Sequence, residues 1–267
     1  MSGAAPWRLL RDDVVSPATG ARNMAIDHAL LESVQAGGAP VLRLYRWDPP
    51  CLSFGRNQHT LGVYDPARAA AAGIDVVRRA TGGLAVLHDR ELTYCVLAPL
   101  DALGGARAAY QAINRALVDG LSRLGVPVTL SAGTAARDPR SRSAEPCFQA
   151  PASGEVVAHG RKLVGSAQRC ERRTLLQHGS ILVDGSQADV LRLLAVPAAD
   201  TEAAGAITLA ELLGAAPGWQ ELCDVVAAGF AAVFGTGLAP DALSDPERLR
   251  ADELEELYGS ADWTWRK

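Results

Sequence analysis

The sequence is short of aromatic side chains, of net charge and of long apolar runs. Phe, Trp and Tyr make up only 5% of the 267 residues, and 26 Lys+Arg against 30 Asp+Glu leave −4. That balance is too mild for nucleic acid or an anionic membrane to be a global partner. No apolar stretch approaches the roughly 18–20 residues that cross a bilayer. Met1 to Asp13 lacks the basic-then-apolar layout of a secretory leader, so a cytoplasmic location is expected. The five cysteines (51, 95, 147, 170, 223) are an odd number with no C-x-x-C pair. A disulfide framework or a zinc ribbon is therefore not expected. The histidines at 28, 59, 88, 159 and 178 form no H-x-x-x-H and none pairs with Cys at ligand spacing, so no metal site is expected.

What is present is core-forming residue: 48% of the chain is hydrophobic, enough for a single domain over 1–267. Ile26, Leu30 and Val34 recur at helical spacing, and Tyr110, Ile113, Leu117, Leu121 and Leu124 define one face of a long helix ending at Gly125. Trp7–Leu10, Val41–Trp47, Cys51–Phe54, Ile74–Arg79 and Leu175–Val183 read as strands. Leu84–Leu87 and Leu92–Leu97 read as a strand pair. Asp65-Pro66 caps an Ala-rich helix closed by Gly73. Glu155–Ala158 and Arg161–Gly165 flank His159-Gly160 as a hairpin. Ser131–Pro146 is polar and aperiodic, a loop. Thr208 with Glu211 makes a capping box, and Asp245-Pro246 opens a last helix. Hairpin-joined strands with helices grouped at both ends predict an α+β domain with a mixed, largely antiparallel sheet flanked by helices.

Three segments bear chemistry. Arg78-Arg79-Ala80-Thr81-Gly82-Gly83 sets two cations before a glycine turn. Such a turn can nest a phosphate with its N–H groups, and an ordinary hairpin turn with exposed arginines fits the same residues. Gly160-Arg161-Lys162-Leu163-Val164-Gly165-Ser166 offers G-x-x-x-x-G, but without Lys and Ser/Thr after the second glycine and a helix opening there it is no P-loop. It leaves Lys162 in an apolar strand followed by the small residues Gly165-Ser166-Ala167, which admit a ligand close to the backbone. A lysine aimed into a pocket is costly unless it serves an anion; a surface lysine on an edge strand is the alternative. Cys147 sits in a polar flank, and residues 137–173 hold eight cations against four acids, a local +4. Positive surroundings lower a thiol pKa from about 8.5 and favour the thiolate. Cys51 and Cys95, in apolar strands, read as inert. His88 ends a strand and can line a pocket. Gly179, inside Gln177-His178-Gly179-Ser180, implies close backbone approach in mid-strand. A hydrogen-bonded structural histidine fits 88 and 178 equally well.

The order of these segments is more specific than any one of them. Arg78 to Asp89, Gly160 to Gln168 and Leu176 to Ser180 together resemble the three signatures of the biotin/lipoate protein ligase family. Asn23-Met24-Ala25-Ile26-Asp27 is similar to its first-helix motif, and Tyr258 with Trp263 to its C-terminal end. The resemblance spans roughly residues 7–265. It implies a fold related to class II aminoacyl-tRNA synthetases and biotin ligases, with a catalytic core over 23–240 and a helical end over 241–267. Within the family the chain most resembles the octanoyltransferase branch, through Cys147-Phe148 fifteen positions before Lys162 and Glu91-Leu92-Thr93-Tyr94 after His88-Asp89. ATP-using ligases usually carry three glycines after the arginine pair, where this chain reads Gly82-Gly83-Leu84.

The resemblance implies a chemistry. Cys147 would attack the thioester of octanoyl-acyl carrier protein, hold the acyl group, and pass it to a lysine of a lipoyl-accepting protein, either glycine-cleavage H protein or an E2 lipoyl domain. No cofactor is implied. Lys162, as an ammonium, would favour the thiolate and the developing oxyanion. Arg79, Gly82, Gly83, His88, Gly165, Ser166, Ala167, His178 and Gly179 would line the acyl tunnel. Basic residues of 137–173 would receive acidic carrier domains, or simply form a solvated face. An ATP-dependent lipoate or octanoate ligase, with Cys147 incidental, is the alternative, and a non-catalytic scaffold binding lipoyl domains is a third reading. A monomer is expected, with neither nucleic acid nor membrane among its partners.

Overall fold

The computed structural model describes residues 6–12, 18–133, 151–196 and 205–267. Cys147 and most of the polar 131–146 segment lie outside these residues. The frame is a six-stranded sheet. It is built from β1 (Trp7–Arg11), β2 (Val41–Tyr45), β6 (Glu91–Pro99), β10 (Val164–Glu171), β11 (Thr174–Leu182) and β12 (Leu238–Pro240), in the order β10-β11-β6-β2-β1-β12. The first four of that order pair antiparallel, while β2–β1 and β1–β12 are parallel, so the sheet is mixed as expected.

Both faces of the sheet are covered. On one face α1 (Gly20–Gln35) packs beside α6 (Asp245–Gly259), over Leu10, Val41, Tyr45, Cys95, Leu97 and Leu176. On the other, α3 (Ala106–Ser122) and α5 (Trp219–Phe234) close over Leu9, Leu42, Leu44, Tyr94, Val96 and Leu175. Alternate side chains of each strand thus go to opposite cores. A strand buried on both faces shows a continuous apolar run where a half-buried one alternates, and Leu92 to Ala98 is such a run.

Two smaller sheets build on this frame. The first holds β3 (Cys51–Phe54) between β4 (Asp75–Arg78) and β5 (Val86–His88). It is covered by α2 (Pro66–Ala71) and a 3-10 turn at Gln187–Leu193. The second joins β7 (Val128–Leu130), β8 (Val156–Ala158) and β9 (Arg161–Lys162). β8 and β9 form the expected hairpin, with His159 and Gly160 both at positive φ (49° and 72°), as a two-residue turn of this hand requires. The expected pairing of the 84–87 and 92–97 strands is corrected: β5 pairs with β3, while β6 is taken on both edges by β2 and β11. Only Asp89 and Arg90 separate β5 and β6, and there the chain leaves one sheet for the other. The Thr208 cap is half of the expected box: its hydroxyl accepts the Glu211 N–H, whereas the Glu211 carboxylate pairs with Arg161. The full box stands at α6, where Ser244 and Glu247 cap each other's backbone. The chain ends in α4 (Leu209–Leu213), α5, α6 and α7 (Ala261–Thr264), and no helix among the described residues is long and apolar enough to cross a membrane.

Candidate functional site

The arginines of the glycine turn are buried, so the ordinary hairpin turn with exposed arginines is not what forms. Arg78 and Arg79 are 0% and 4% exposed. Arg78 donates to the carbonyls of Gly55, Gln58 and Thr264 and to the Thr60 hydroxyl. Burial, and behind it the neighbouring Arg266 and Arg79 charges, pulls its pKa down to about 10. Arg79 reaches Ser53 O and Oγ (2.9 and 3.0 Å) and the carbonyls of Gly82 and Leu84 (2.8 Å each). A guanidinium has five donors and no acceptor, so it suits the orphan carbonyls of a tight turn. Arg79 therefore clamps the glycine turn from within, while Arg78 ties the 55–60 loop to Thr264. Gly83 takes φ +96°, and a Cβ there would stand 2.7 Å from Arg79 Nη2.

Beside this turn opens a narrow slot, with about 40 Å³ open to the centre of a water-sized sphere. It brings together eight of the residues expected from sequence: Arg79, Gly83, His88, Gly165, Ser166, Ala167, His178 and Gly179. Gly82 contributes its carbonyl to Arg79 but is exposed and is not part of the lining. The sequence reading missed Met24, Tyr45, Trp47, Ser53, Val86, Thr93 and Ser180, which complete the lining. They come from α1 and from strands of both sheets, so the slot lies along the seam where the small sheet meets the large one. Of the lining residues only Arg79 carries a permanent charge.

Small residues make the slot possible. In the antiparallel register Gly179 sits opposite Ser166 on one side and Tyr94 on the other. A Cβ at Gly179 would lie 2.3 Å from Gly165 O, 2.8 Å from Tyr94 Cε1 and 3.1 Å from Ser166 Cα. Two of those three are backbone atoms and cannot swing aside. Gly179→Ala is expected to cost about 1–3 kcal/mol as overpacking and to push β10 away from β11. A lowered unfolding midpoint together with weaker acyl-donor binding checks this; an unchanged midpoint would refute it.

Two buried networks fix the walls. His88 Nδ1 faces Glu91 Oε1 at 2.8 Å and Nε2 faces Ser53 Oγ at 2.7 Å. Glu91 accepts and Ser53 Oγ already receives Arg79, so Nδ1–H donates to Glu91 and the Ser53 hydroxyl donates to Nε2. Trp47 stacks on His88 with centroids 4.1 Å apart and donates its indole N–H to Thr93 (2.7 Å), whose hydroxyl is bonded to Glu91. The second network runs through the core beneath the turn. Thr81 Oγ1 lies 2.6 Å from His178 Nε2, and His178 Nδ1 lies 3.3 Å from Asp27, which also accepts from Tyr45 OH and Arg43 Nη1 (2.9 Å each). Burial lowers the His178 pKa against the pull of Asp27. Burial also pushes the Asp27 carboxyl up, but hydrogen bonding from His178 and the Arg43 charge outweigh it and leave it below the usual range. Donor atoms of Asp27, Cys95 and His178 lie within 4.8 Å of one another, a grouping that sequence spacing did not anticipate. Arg43 already neutralises Asp27, and burial raises the Cys95 thiol well above its ordinary pKa, so this trio is built as a hydrogen-bonded junction.

Lys162 is the other surprise. The surface-lysine alternative fails, because the side chain is 2% exposed and its Nζ lies 2.8 Å from Glu155 Oε1. Glu155 uses its second oxygen to accept the Ala152 N–H at 2.8 Å. One carboxylate thus joins the β9 ammonium to the chain two residues beyond the undescribed 134–150 segment. Sequence reasoning passed over Glu155; its only signal was an acid at the start of an apolar strand, seven positions from a lysine. Cys147, expected as the partner of Lys162, lies outside the described residues.

A mixed sheet between two helix pairs thus carries an apolar slot at a glycine turn, with a buried Lys–Glu pair on the β8–β9 hairpin, in an α+β domain. The chain belongs to the lipoyl protein ligase A/B catalytic domain family, whose description it matches over residues 19–231. It is 40% identical to Octanoyltransferase LipM of Symbiobacterium thermophilum, covering 98% of both chains. It is 37% identical to Octanoyltransferase LipM of Moorella thermoacetica, covering 99% of both. Among solved structures, a bipartite lipoate protein ligase from Thermoplasma acidophilum superposes with a TM-score of 0.77 at 23% identity, covering 98% of this chain and 97% of that one. Lipoate-protein ligase A bound with ATP gives 0.77 at 22% identity, with 99% of each chain covered. Those two likenesses establish the fold.

Proposed function

We propose that the protein is an octanoyltransferase of lipoate biosynthesis, taking the acyl group from octanoyl-acyl carrier protein onto Cys147 and delivering it to a lysine of a lipoyl-accepting protein. The observation that carries this reading is the apolar slot, charged only at an internally bonded arginine, in a chain alike over its whole length to proteins named octanoyltransferase. An octanoyl tail has about six methylenes, and burying them contributes up to ~5 kcal/mol at roughly 0.8 each. Such a slot selects a chain without polar contacts. Catalysis is assigned to residues 23–240, with 241–267 as a supporting end whose α6 packs on α1. The enzyme acts as a cytoplasmic monomer.

In the proposed first step the Cys147 sulfur bonds to the thioester carbonyl carbon, the donor C–S bond breaks, and the released thiolate takes up a proton. In the second, the neutral amine of the target lysine bonds to the same carbon, the Cys147 C–S bond breaks, and the amine's surplus proton passes to the departing sulfur or to water, leaving the amide and free Cys147. Lys162 supplies positive charge for the thiolate and the transient oxyanion. The acceptor is H protein or an E2 lipoyl domain. Intact-mass measurement after mixing enzyme with octanoyl-acyl carrier protein is expected to show one added octanoyl group, without ATP. A mass gain that appears only with ATP and free octanoate or lipoate would replace this reading with nucleotide-driven ligation.

A further inference from the structure

Of the five cations of the 137–173 stretch that lie among the described residues, four are already answered. Arg161 pairs with Glu211, Lys162 with Glu155, Arg169 with Glu171 and Arg173 with Asp101. One cluster of positive charge without a carboxylate partner among the described residues sits elsewhere, on the other side of the glycine turn. There Arg56 donates its backbone N–H to Thr81 O (2.8 Å), so the 55–61 loop lies directly on the turn that walls the slot. The C-terminal segment is laced to this loop. Arg266 donates to Arg56 O (3.0 Å) and stacks 3.8 Å over the Trp263 ring, while Lys267 Nζ bonds Asn57 Oδ1 (3.3 Å). Neither Arg56, Arg266 nor Lys267 has a carboxylate partner among the described residues, in a chain whose other arginines are mostly in ion pairs. Burial first, and then the Arg56 charge, lowers the Arg266 pKa. Beside them Leu61 stands 64% exposed.

We propose that Arg56, Arg266 and Lys267, with Leu61 at their edge, form the docking surface for the acidic acyl-carrier donor. The inference rests on the octanoyl-transfer reading and names the partner's site. An acidic carrier domain brings carboxylates and the phosphodiester of its prosthetic arm, both of which guanidinium groups recognise well. A bare leucine among cations adds the apolar contact on which such an interface centres. The lysine-bearing acceptor is the poorer match, because it leads with an ammonium that this rim repels. Like-signed rim charges act mainly on encounter rate and salt dependence.

The test compares wild type with Arg56→Glu/Arg266→Glu in two assays. In the first, anisotropy of a labelled octanoyl-acyl carrier protein is read at rising salt. Binding by the variant is expected to be roughly tenfold weaker and its salt dependence flatter. Equal binding, or no measurable binding by wild type, overturns the proposal. In the second, transfer is read from octanoyl-pantetheine, which has no carrier domain, and its KM is expected to be unchanged. If neither protein transfers from this small donor, wild-type transfer from octanoyl-acyl carrier protein is read instead; its absence ends the octanoyl-transfer reading, while the binding result still decides the surface. If only the variant fails, its fold is damaged, and Arg266→Gln, at an exposed side chain, repeats the binding assay; binding equal to wild type then overturns the proposal.

Discussion

Replacing Lys162 with Met is expected to slow octanoyl transfer by about 10²–10³-fold, the scale for losing one charge-stabilising donor, and to destabilise the fold as well. The second effect follows from burial. Lys162 and Glu155 are 2% and 9% exposed at the side chain, 2.8 Å apart. Removing one member of such a pair leaves an uncompensated charge in the interior, at a cost of about 3–5 kcal/mol. The two effects separate in a double variant. Glu155→Gln in the Lys162→Met background removes the stranded charge but keeps an oxygen for the Ala152 N–H, so stability should recover while transfer does not. Thermal midpoints with steady-state rates on the single and double variants read this directly. Recovery of both would make Lys162 a structural residue and leave the chemistry without its cation.

The strands of the sheet frame and about half of the slot were legible because their signals are local. Helical spacing at Ile26, Leu30 and Val34 marked α1, and the buried run Leu92–Ala98 marked a strand. What sequence could not supply was strand partnership. β5 and β6 are separated by two residues and look like a hairpin, yet β6 finds its edges with β2 and β11 through side chains distant in sequence. The same blindness hid half of the lining. Trp47 and Ser53 enter the slot only because the small sheet meets the large one along that seam. The burial of Arg78 and Arg79 was hidden for a related reason: two cations before a glycine turn read as exposed until the carbonyls of Gly55, Gln58, Gly82 and Leu84 are seen to accept from them. Glu155 was invisible because an acid beside an apolar strand carries no signal until its lysine is found across a hairpin.

Replacing Cys147 with Ala or Ser is expected to remove the acyl-enzyme and to lower transfer by about three orders of magnitude or more, as loss of a nucleophile does. The other cysteines of the chain make the result readable. Cys51 and Cys95 are fully buried and burial lifts their thiols well above the ordinary range, while burial carries Cys223 to about 12. Cys170 is exposed, yet its partial burial also raises its pKa. At neutral pH all four are therefore mainly protonated and poor nucleophiles. A neutral alkylating agent should modify Cys147 first, its loss of activity should track that single modification, and prior octanoylation should protect. The sign of the pH dependence follows from the thiolate being the reactive form. Inactivation should rise with pH through a midpoint below about 8.5 if a cation stabilises the thiolate, and that midpoint should move upward in Lys162→Met. Alkylation of Cys147 without loss of transfer, or a midpoint indifferent to Lys162, would break the link between this sulfur and that ammonium on which the acyl-shuttle chemistry depends.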